Sequence, residues 1–218
     1  MDLEQRASEI PCVFWLEPSH LHFHKDKKVE IKVHWGKLMQ REPKESVTTM
    51  QAKVICPDGT LMEATIFQEN TGLMISFFAK EEGLYTIIWE GKDEGILRAY
   101  QARVDVAVGH HVHGVPAPVS PKGLDLYALK HTAYTLDSKI ILKVLYQGVP
   151  LSQAKVYGMP HLRPGEWPQL SGETNQEGEV MFTFPDIGHW MFMVCHTLGP
   201  SDLGGLQVAT LVVPGVRN

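Results

Sequence analysis

The sequence predicts an all-β fold: two antiparallel β-sandwich modules of immunoglobulin-like or transthyretin-like type in series. Three observations carry this expectation. Apolar and polar residues alternate with a period of two in segment after segment, as strands with one buried face require. Turn residues punctuate the chain about every 8–12 positions. No segment before residue 110 carries a helical period.

The elements follow in order. In KVEIKVHW, Val29, Ile31, Val33 and Trp35 share one face and Lys28, Glu30, Lys32 and His34 the other, which predicts a half-buried strand with His34 on its solvated side. QAKVICPDGTLMEATIF reads as a hairpin closed at Pro57-Asp58-Gly59, where proline presets φ and glycine accepts a positive one. GLMISFFA, GLYTIIW and YQARVDVAV continue the series, separated by KEEG and EGKDEG. HGVPAPVSPKG then packs three prolines into eleven residues and reads as a linker. The predicted organisation is a first sandwich over residues 1–112, a linker over 113–123 and a second sandwich over 124–218.

In the second half LDLYAL, KIILKVLY, QAKVYG, EVMFTF, HWMFMVCH and LQVATLVV are the expected strands. WMFMVC is apolar on both faces and predicts a central strand, with Met191, Met193 and Cys195 in the core and His189 and His196 at its ends. The halves also rhyme. KEEGLYTIIWEG and FPDIGHWMFMVCH both run acidic residue, glycine, one residue, aromatic, apolar strand, so Tyr85 and Trp190 hold equivalent places. An aromatic at such a corner packs the core while its polar atom satisfies the backbone.

Composition narrows the function classes. With 25 acidic against 20 basic residues the formal charge is -5, and no basic cluster marks a nucleic-acid surface. The longest apolar runs fall far short of the roughly 20 residues of a membrane helix. MDLEQRASEI has no basic head and apolar core. A natural start at Met1 implies the cytoplasm, whereas a removed signal implies an extracytoplasmic protein. The three cysteines, Cys12, Cys56 and Cys195, give neither a disulfide framework nor a paired-cysteine zinc signature. Lys-rich KDKKVEIK is edge protection, yet sandwich edges also dimerise, so the oligomeric state stays open.

FWLEPS at 14–19, the strand ending in HWG, GLDLYALKHTAYTLDSKIILKVLYQGVPLSQAKVYG and GETNQEGEVMFTFPDIGHWMFMVCH together resemble the bacterial nickel-uptake substrate-specific region family, a domain of unknown function. The second half resembles a carboxypeptidase-regulatory-like, transthyretin-like module, with Gly148, Pro150 and Leu151 entering a strand and Asn175, Glu177 and Gly178 forming a turn. The resemblance implies metal handling near uptake systems and an extracytoplasmic setting. Where the family shows His and Asp before the FWLEP-like motif, this chain has Cys12 and Val13. Cysteine is itself a soft metal ligand.

The histidines carry the functional expectation. In PSHLHFHKD an extended backbone puts His20, His22 and His24 on one face, neighbours about 6.6 Å apart and the outer pair about 13 Å. One straight strand therefore offers two imidazoles to an ion, and a third ligand must come from elsewhere. GHHVHG is the candidate, with His111 and His113 forming a second pair and His110 turned away; Glu17 or Cys12 would add an anionic ligand. Such a set suits Ni, Co, Zn or Cu. In RPGEWPQL, Glu166 and Trp167 are candidates for a partner-binding loop.

There is no GxSxG elbow, no HExxH and no phosphate-binding glycine loop after a strand, so no catalytic residue is assigned. The expected function is non-enzymatic transition-metal binding or delivery, with no organic cofactor, and with a membrane transporter or another protein as partner. The alternative is a structural or interaction module that binds a protein or glycan, its histidines incidental.

Overall fold

The computed structural model describes residues 10–43, 49–69, 72–93, 95, 97–110, 112, 114–116, 123–199 and 205–218, and the expected all-β class is the one observed. Among the described residues seventeen strands form three sheets. The first sheet takes β1 (Val13–Pro18), β2 (Lys27–Lys37), β7 (Gly72–Ala79) and β6 (Thr65–Glu69) in that order, with β3 (Gln40–Arg41) on β2. The long sheet runs β14 (Leu170–Glu173), β13 (Lys155–Pro160), β16 (Gly188–Thr197), β17 (Leu206–Val216), β9 (Arg98–Val108), β8 (Gly83–Asp93), β4 (Thr49–Ile55), β5 (Leu61–Glu63). The third sheet takes β10 (Leu124–Ala128), β11 (Lys139–Tyr146) and β12 (Val149–Pro150), with β15 (Glu179–Thr183) also on β11.

The long sheet contains strands from both halves of the chain. Its middle is the pairing of β17 with β9, parallel from Leu206↔Arg98 to Val212↔Val104, while every other pair of named strands is antiparallel. Two cores form on its opposite faces. From β16, Met191 and Met193 enter the core under the first sheet, while Trp190, Phe192 and Val194 enter the core under the third. β17 divides likewise, Val208 and Val212 against Ala209, Leu211 and Val213. This two-sided burial is why WMFMVC is apolar throughout and why Met191 and Met193 are core residues.

The local turn chemistry is as expected. Gly59 has φ 83 at the tip of the β4–β5 hairpin, and the Asp58 carboxylate accepts from Thr60 N–H at 2.9 Å and Thr60 Oγ1 at 2.7 Å. The aromatic rhyme is real at the level of atoms. Tyr85 donates its hydroxyl to the Glu81 carbonyl at 3.1 Å and Trp190 donates Nε1–H to the Asp186 carbonyl at 3.0 Å, each reaching four residues back. In both cases one large buried side chain closes the turn that precedes its strand.

A buried ion network joins the long sheet to the third sheet. Arg103 on β9, 1% exposed, lies 3.0 Å from Asp105 and 3.8 Å from Asp125 of β10, with its guanidinium carbon 5.4 Å from the centre of the Tyr127 ring. Among the described residues no helix is long and apolar enough to cross a membrane.

Candidate metal centre

Residues 20–24 do not form the strand that their alternation predicts. They run as irregular backbone with one point of pairing: Phe23 bridges in parallel to Val108, and Gly109 N–H donates to the Phe23 carbonyl at 2.9 Å. Phe23 is buried in the first core, while His20, His22 and His24 are exposed. A turn at Lys25-Asp26, with Asp26 at φ 61, leads directly into β2 and leaves no room for a ladder. One apolar side chain therefore lays the histidine segment against the segment that begins at Gly109.

That placement brings His110 to the first cluster. Its ring centroid is 6.1 Å from that of His22 and 6.1 Å from that of His24. Two imidazoles bound to one tetrahedral ion through bonds of about 2.0–2.1 Å have centroids about 5 Å apart. The exposed rings are thus within about 1 Å of a ligating separation, which rotation of these surface side chains supplies. Alternation alone turns His110 away; the bend at Gly109, φ 96, turns it towards His22 and His24. His20 lies instead against Phe23, at 6.3 Å between centroids. His111 and His113 lie outside the described residues. Among the described residues no three His, Cys, Asp or Glu side chains converge as they stand on a point where an ion would be held.

Cys12 is not part of this cluster. It feels the charge of Arg98 at the start of β9, whereas Phe23 pairs with Val108 at the other end, ten residue steps or about 33 Å along the strand. Its Sγ donates to Glu42 at 3.4 Å, and burial, followed by that bond, pushes the thiol up.

The expectation for His34 is corrected. It is buried, 7% exposed, because the strand opposite it is β1: Trp15 is its register partner, with ring centroids 5.4 Å apart, and Glu17 lies diagonally adjacent with Oε2 2.7 Å from His34 Nε2. Arg41 donates to the same Glu17 oxygen at 2.9 Å. The His34 contact, ahead of the Arg41 and His189 charges and against the effect of burial, holds the Glu17 carboxyl at about 2. His189 is the second residue of β16. Burial and then the charge of His161 push its imidazole down, while Glu17 pulls it up. Its backbone N–H donates to His161 Nδ1 at 3.1 Å, and the two rings meet edge to face at 4.9 Å. His196 at the other end of β16 lies against Tyr146, their ring centroids 4.5 Å apart and their planes tilted by 50°.

The loop after β13 behaves differently from a free binding loop. Trp167 folds back beside Tyr157, 6.2 Å between centroids, and packs on the first core. Glu166 is exposed, 4.0 Å from Arg163, whose other partner is Asp186 at 3.1 Å. A concavity lies elsewhere in the fold. The face of β4, β8 and β9 turned away from the first sheet forms an open groove of about 860 Å³ with the start of β10, lined by Gln51, Gln101 and the Lys53–Glu90 pair.

The model of the domain-of-unknown-function family DUF4198 matches residues 13–198. The chain belongs to the DUF4198 family. The matched span begins at β1, so this DUF4198 chain has its FWLEP strand, its His34–Glu17 contact and its His20–His24 segment inside the family region. Among curated proteins none matches it in sequence. Solved structures similar to it include the D0-D1 domain of intimin, at 12% identity over 94% of this chain and 98% of that one with a TM-score of 0.30. A DUF4785 family protein from Legionella pneumophila matches at 11% identity over 83% and 51% with a TM-score of 0.34. The alpha-2-macroglobulin of Escherichia coli matches at 12% over 93% and 15% with a TM-score of 0.33. Likenesses at this level carry nothing about activity.

Proposed function

We propose that the protein binds a transition-metal ion through His22, His24 and His110 and serves in metal handling or delivery, not catalysis. The observation that supports this reading is the 6.1 Å spacing of His110 from both other rings, held by the burial of Phe23 and the Gly109–Phe23 hydrogen bond. The donors are neutral imidazoles on an accessible surface, a set that accepts Ni, Co, Zn or Cu and leaves coordination positions open for a recipient. A nickel-type cargo and a transporter partner are implied by the resemblance of the FWLEPS and HWG segments to the nickel-uptake region; they belong to this proposal, as does the transthyretin-like reading of residues 124–218.

The test is calorimetric titration of untagged protein with Ni²⁺, Zn²⁺ and Cu²⁺ beside the His22→Ala/His24→Ala/His110→Ala variant. Binding at about 1 μM or tighter, weakened at least about 10-fold in the variant, is expected. Affinity unchanged by the three substitutions refutes the site. A second reading, binding of an extended peptide or glycan in the groove beside Lys53 and Glu90, is favoured by its volume and its hydrogen-bonding lining. It predicts that Lys53→Ala and Gln51→Ala disturb partner capture without touching metal affinity.

A further inference from the structure

We propose that residues 161–167 form an acid-released strap: a proton on the His161 imidazole breaks the rung that fastens the strap to β16 and frees it from the first sheet. The strap shares no residue with His22, His24 and His110, and its release is independent of the metal reading. It crosses between the two halves of the chain. Gly165 N–H donates to the carbonyl of Leu38 in the β2–β3 turn at 2.8 Å, Arg163 pairs with Asp186 at 3.1 Å, and Trp167 packs on the first core beside Tyr157.

The rung is built from an imidazole. After Pro160↔Trp190 the next antiparallel pair is His161 with His189, and His161 N–H donates to the His189 carbonyl at 2.9 Å as the ladder requires. The reciprocal bond runs from His189 N–H to His161 Nδ1 at 3.1 Å, so the side chain takes the place of the backbone carbonyl. An imidazole nitrogen accepts only through a free lone pair, and an imidazolium donates from both nitrogens. Neutral His161 closes the rung; protonated His161 cannot. β16 is shaped for the ring. A Cβ on Gly188 would stand 3.0 Å from both Nδ1 and Cε1 of His161, so the glycine, at φ 104, leaves the imidazole its place.

The proton also brings a charge into a crowded place. The two rings stand edge to face with centroids 4.9 Å apart, and a cation on His161 sits beside a ring whose own Nδ1 is buried without a hydrogen-bond partner among the described residues. The other charges around the pair are Arg163, held by Asp186 and 4.0 Å from Glu166, and Glu17 of β1, which His189 feels as a charge. Carboxylates and guanidinium groups titrate outside the range from about pH 5 to 8, whereas imidazoles titrate within it. Burial and then the charge of His161 push the His189 imidazole down, against the pull of Glu17. A base held neutral in the fold stabilises it above about pH 6.5 and loses that contribution as pH falls, in the same direction as the rung. The far end of the strap is set to let go. Leu38 and Met39 are buried at φ 52 and 59, a conformation disfavoured for residues with a Cβ, and the Gly165 bond is one of the contacts that hold this turn. Release uncovers Trp167, Tyr157 and Met39, an apolar surface presented in acid.

The experiment uses the full chain, metal-free, with 5-fluorotryptophan in place of tryptophan. ¹⁹F NMR reads the solvent exposure of each ring, and a Trp167→Phe chain assigns the signal of the strap. From about pH 7.5 to about pH 5 the open-to-closed ratio at Trp167 is expected to rise at least about 10-fold. His161→Asn keeps an acceptor oxygen near the place of Nδ1 but carries no titrating proton, and there the rise is expected to stay below about 2-fold. His189→Leu retains the backbone donor, so the rise persists. Unfolding midpoints at neutral pH check that each variant is folded. Should His161→Asn not fold, amide hydrogen exchange of the parent chain decides instead: protection of Gly165 and His189 is expected to drop together in acid by about 10-fold or more. A Trp167 signal that stays closed in acid, a rise that survives His161→Asn or vanishes in His189→Leu, or unchanged protection of the two amides overturns the proposal.

Discussion

Replacing Arg103 by methionine is expected to be among the most damaging conservative changes in the chain. Methionine approximates the volume of arginine but removes the charge that faces Asp105 at 3.0 Å and Asp125 at 3.8 Å, carboxylates that are 4% and 0% exposed. Breaking a buried ion network by deleting one partner costs about 3–5 kcal/mol, because the remaining charge is left in a medium that solvates it poorly. Against a total stability of about 5–15 kcal/mol this is about a fifth or more. With a urea slope of about 2 kcal/mol per molar, a loss of about 4 kcal/mol moves the midpoint down by about 2 M. Urea titration followed by tryptophan fluorescence measures the shift. The charge argument makes a second demand. In Arg103→Met/Asp105→Leu/Asp125→Leu the carboxylates go too, and stability should return to within about 1 kcal/mol of the parent or exceed it. A midpoint shift under about 0.5 M in the single variant, or a triple variant as unstable as the single one, refutes the reasoning and assigns the role of Arg103 to packing.

Other perturbations test neighbouring links of the argument. Phe23→Ala removes the buried ring that holds the histidine segment and should cost about 3–5 kcal/mol while weakening metal affinity, read by calorimetry on the same sample. In metal-free protein, Glu17 has a folded value of about 2 against the usual 4.5, so its stabilisation is complete above about 4.5 and is lost as pH falls towards 2. Glu17→Gln should flatten that acid limb of the unfolding midpoint by ~2–3 kcal/mol, and an unchanged limb contradicts the His34 contact. Burial pushes the Cys195 thiol to about 12, leaving about one part in 10⁴ as thiolate near pH 8. Iodoacetamide should therefore spare it in native protein and label it in concentrated urea, as mass spectrometry will show. Gly178 has φ 73, and a Cβ there would stand 2.6 Å from the Val144 carbonyl oxygen, whereas Gly59 at φ 83 faces open space. Gly178→Ala should lower the melting temperature more than Gly59→Ala, whose cost is the positive φ alone, about 1–2 kcal/mol.

Local features were legible in the sequence because they depend on near neighbours. The Pro57-Asp58-Gly59 turn, the alternation of β2 and the four-residue reach of Tyr85 and Trp190 all belong to single short segments. WMFMVC declared its central position because both of its faces are apolar. Partnership across the chain was not legible. Val13–Pro18 is apolar on both faces up to Leu16 and Leu170–Glu173 follows a loop-like stretch, so neither β1 nor β14 carries the period-two signal of a strand. Missing β1 meant missing the surroundings of His34: a polar residue on an alternating strand reads as solvated until an opposing tryptophan and glutamate cover it. At the exposed cluster the histidines are legible in the sequence, but which of them stands beside His22 and His24 is not. A single positive φ at Gly109 chose His110, and alternation has no means of signalling such a bend.

The pairing of β17 with β9 sets the order in which the protein can be completed during synthesis. When residue 110 leaves the ribosome, β9 has β8 on one side only, and its other edge has no partner until residues 206–212 arrive about a hundred positions later. For that interval the nascent chain holds an open strand edge beside an unfinished core, the condition that favours intermolecular strand pairing. The side chains on β9 suit this delay, since Arg103 and Asp105 interrupt its apolar run with charge. The same two residues that later lie buried in an ion network thus stand as gatekeepers while the last strand is being made.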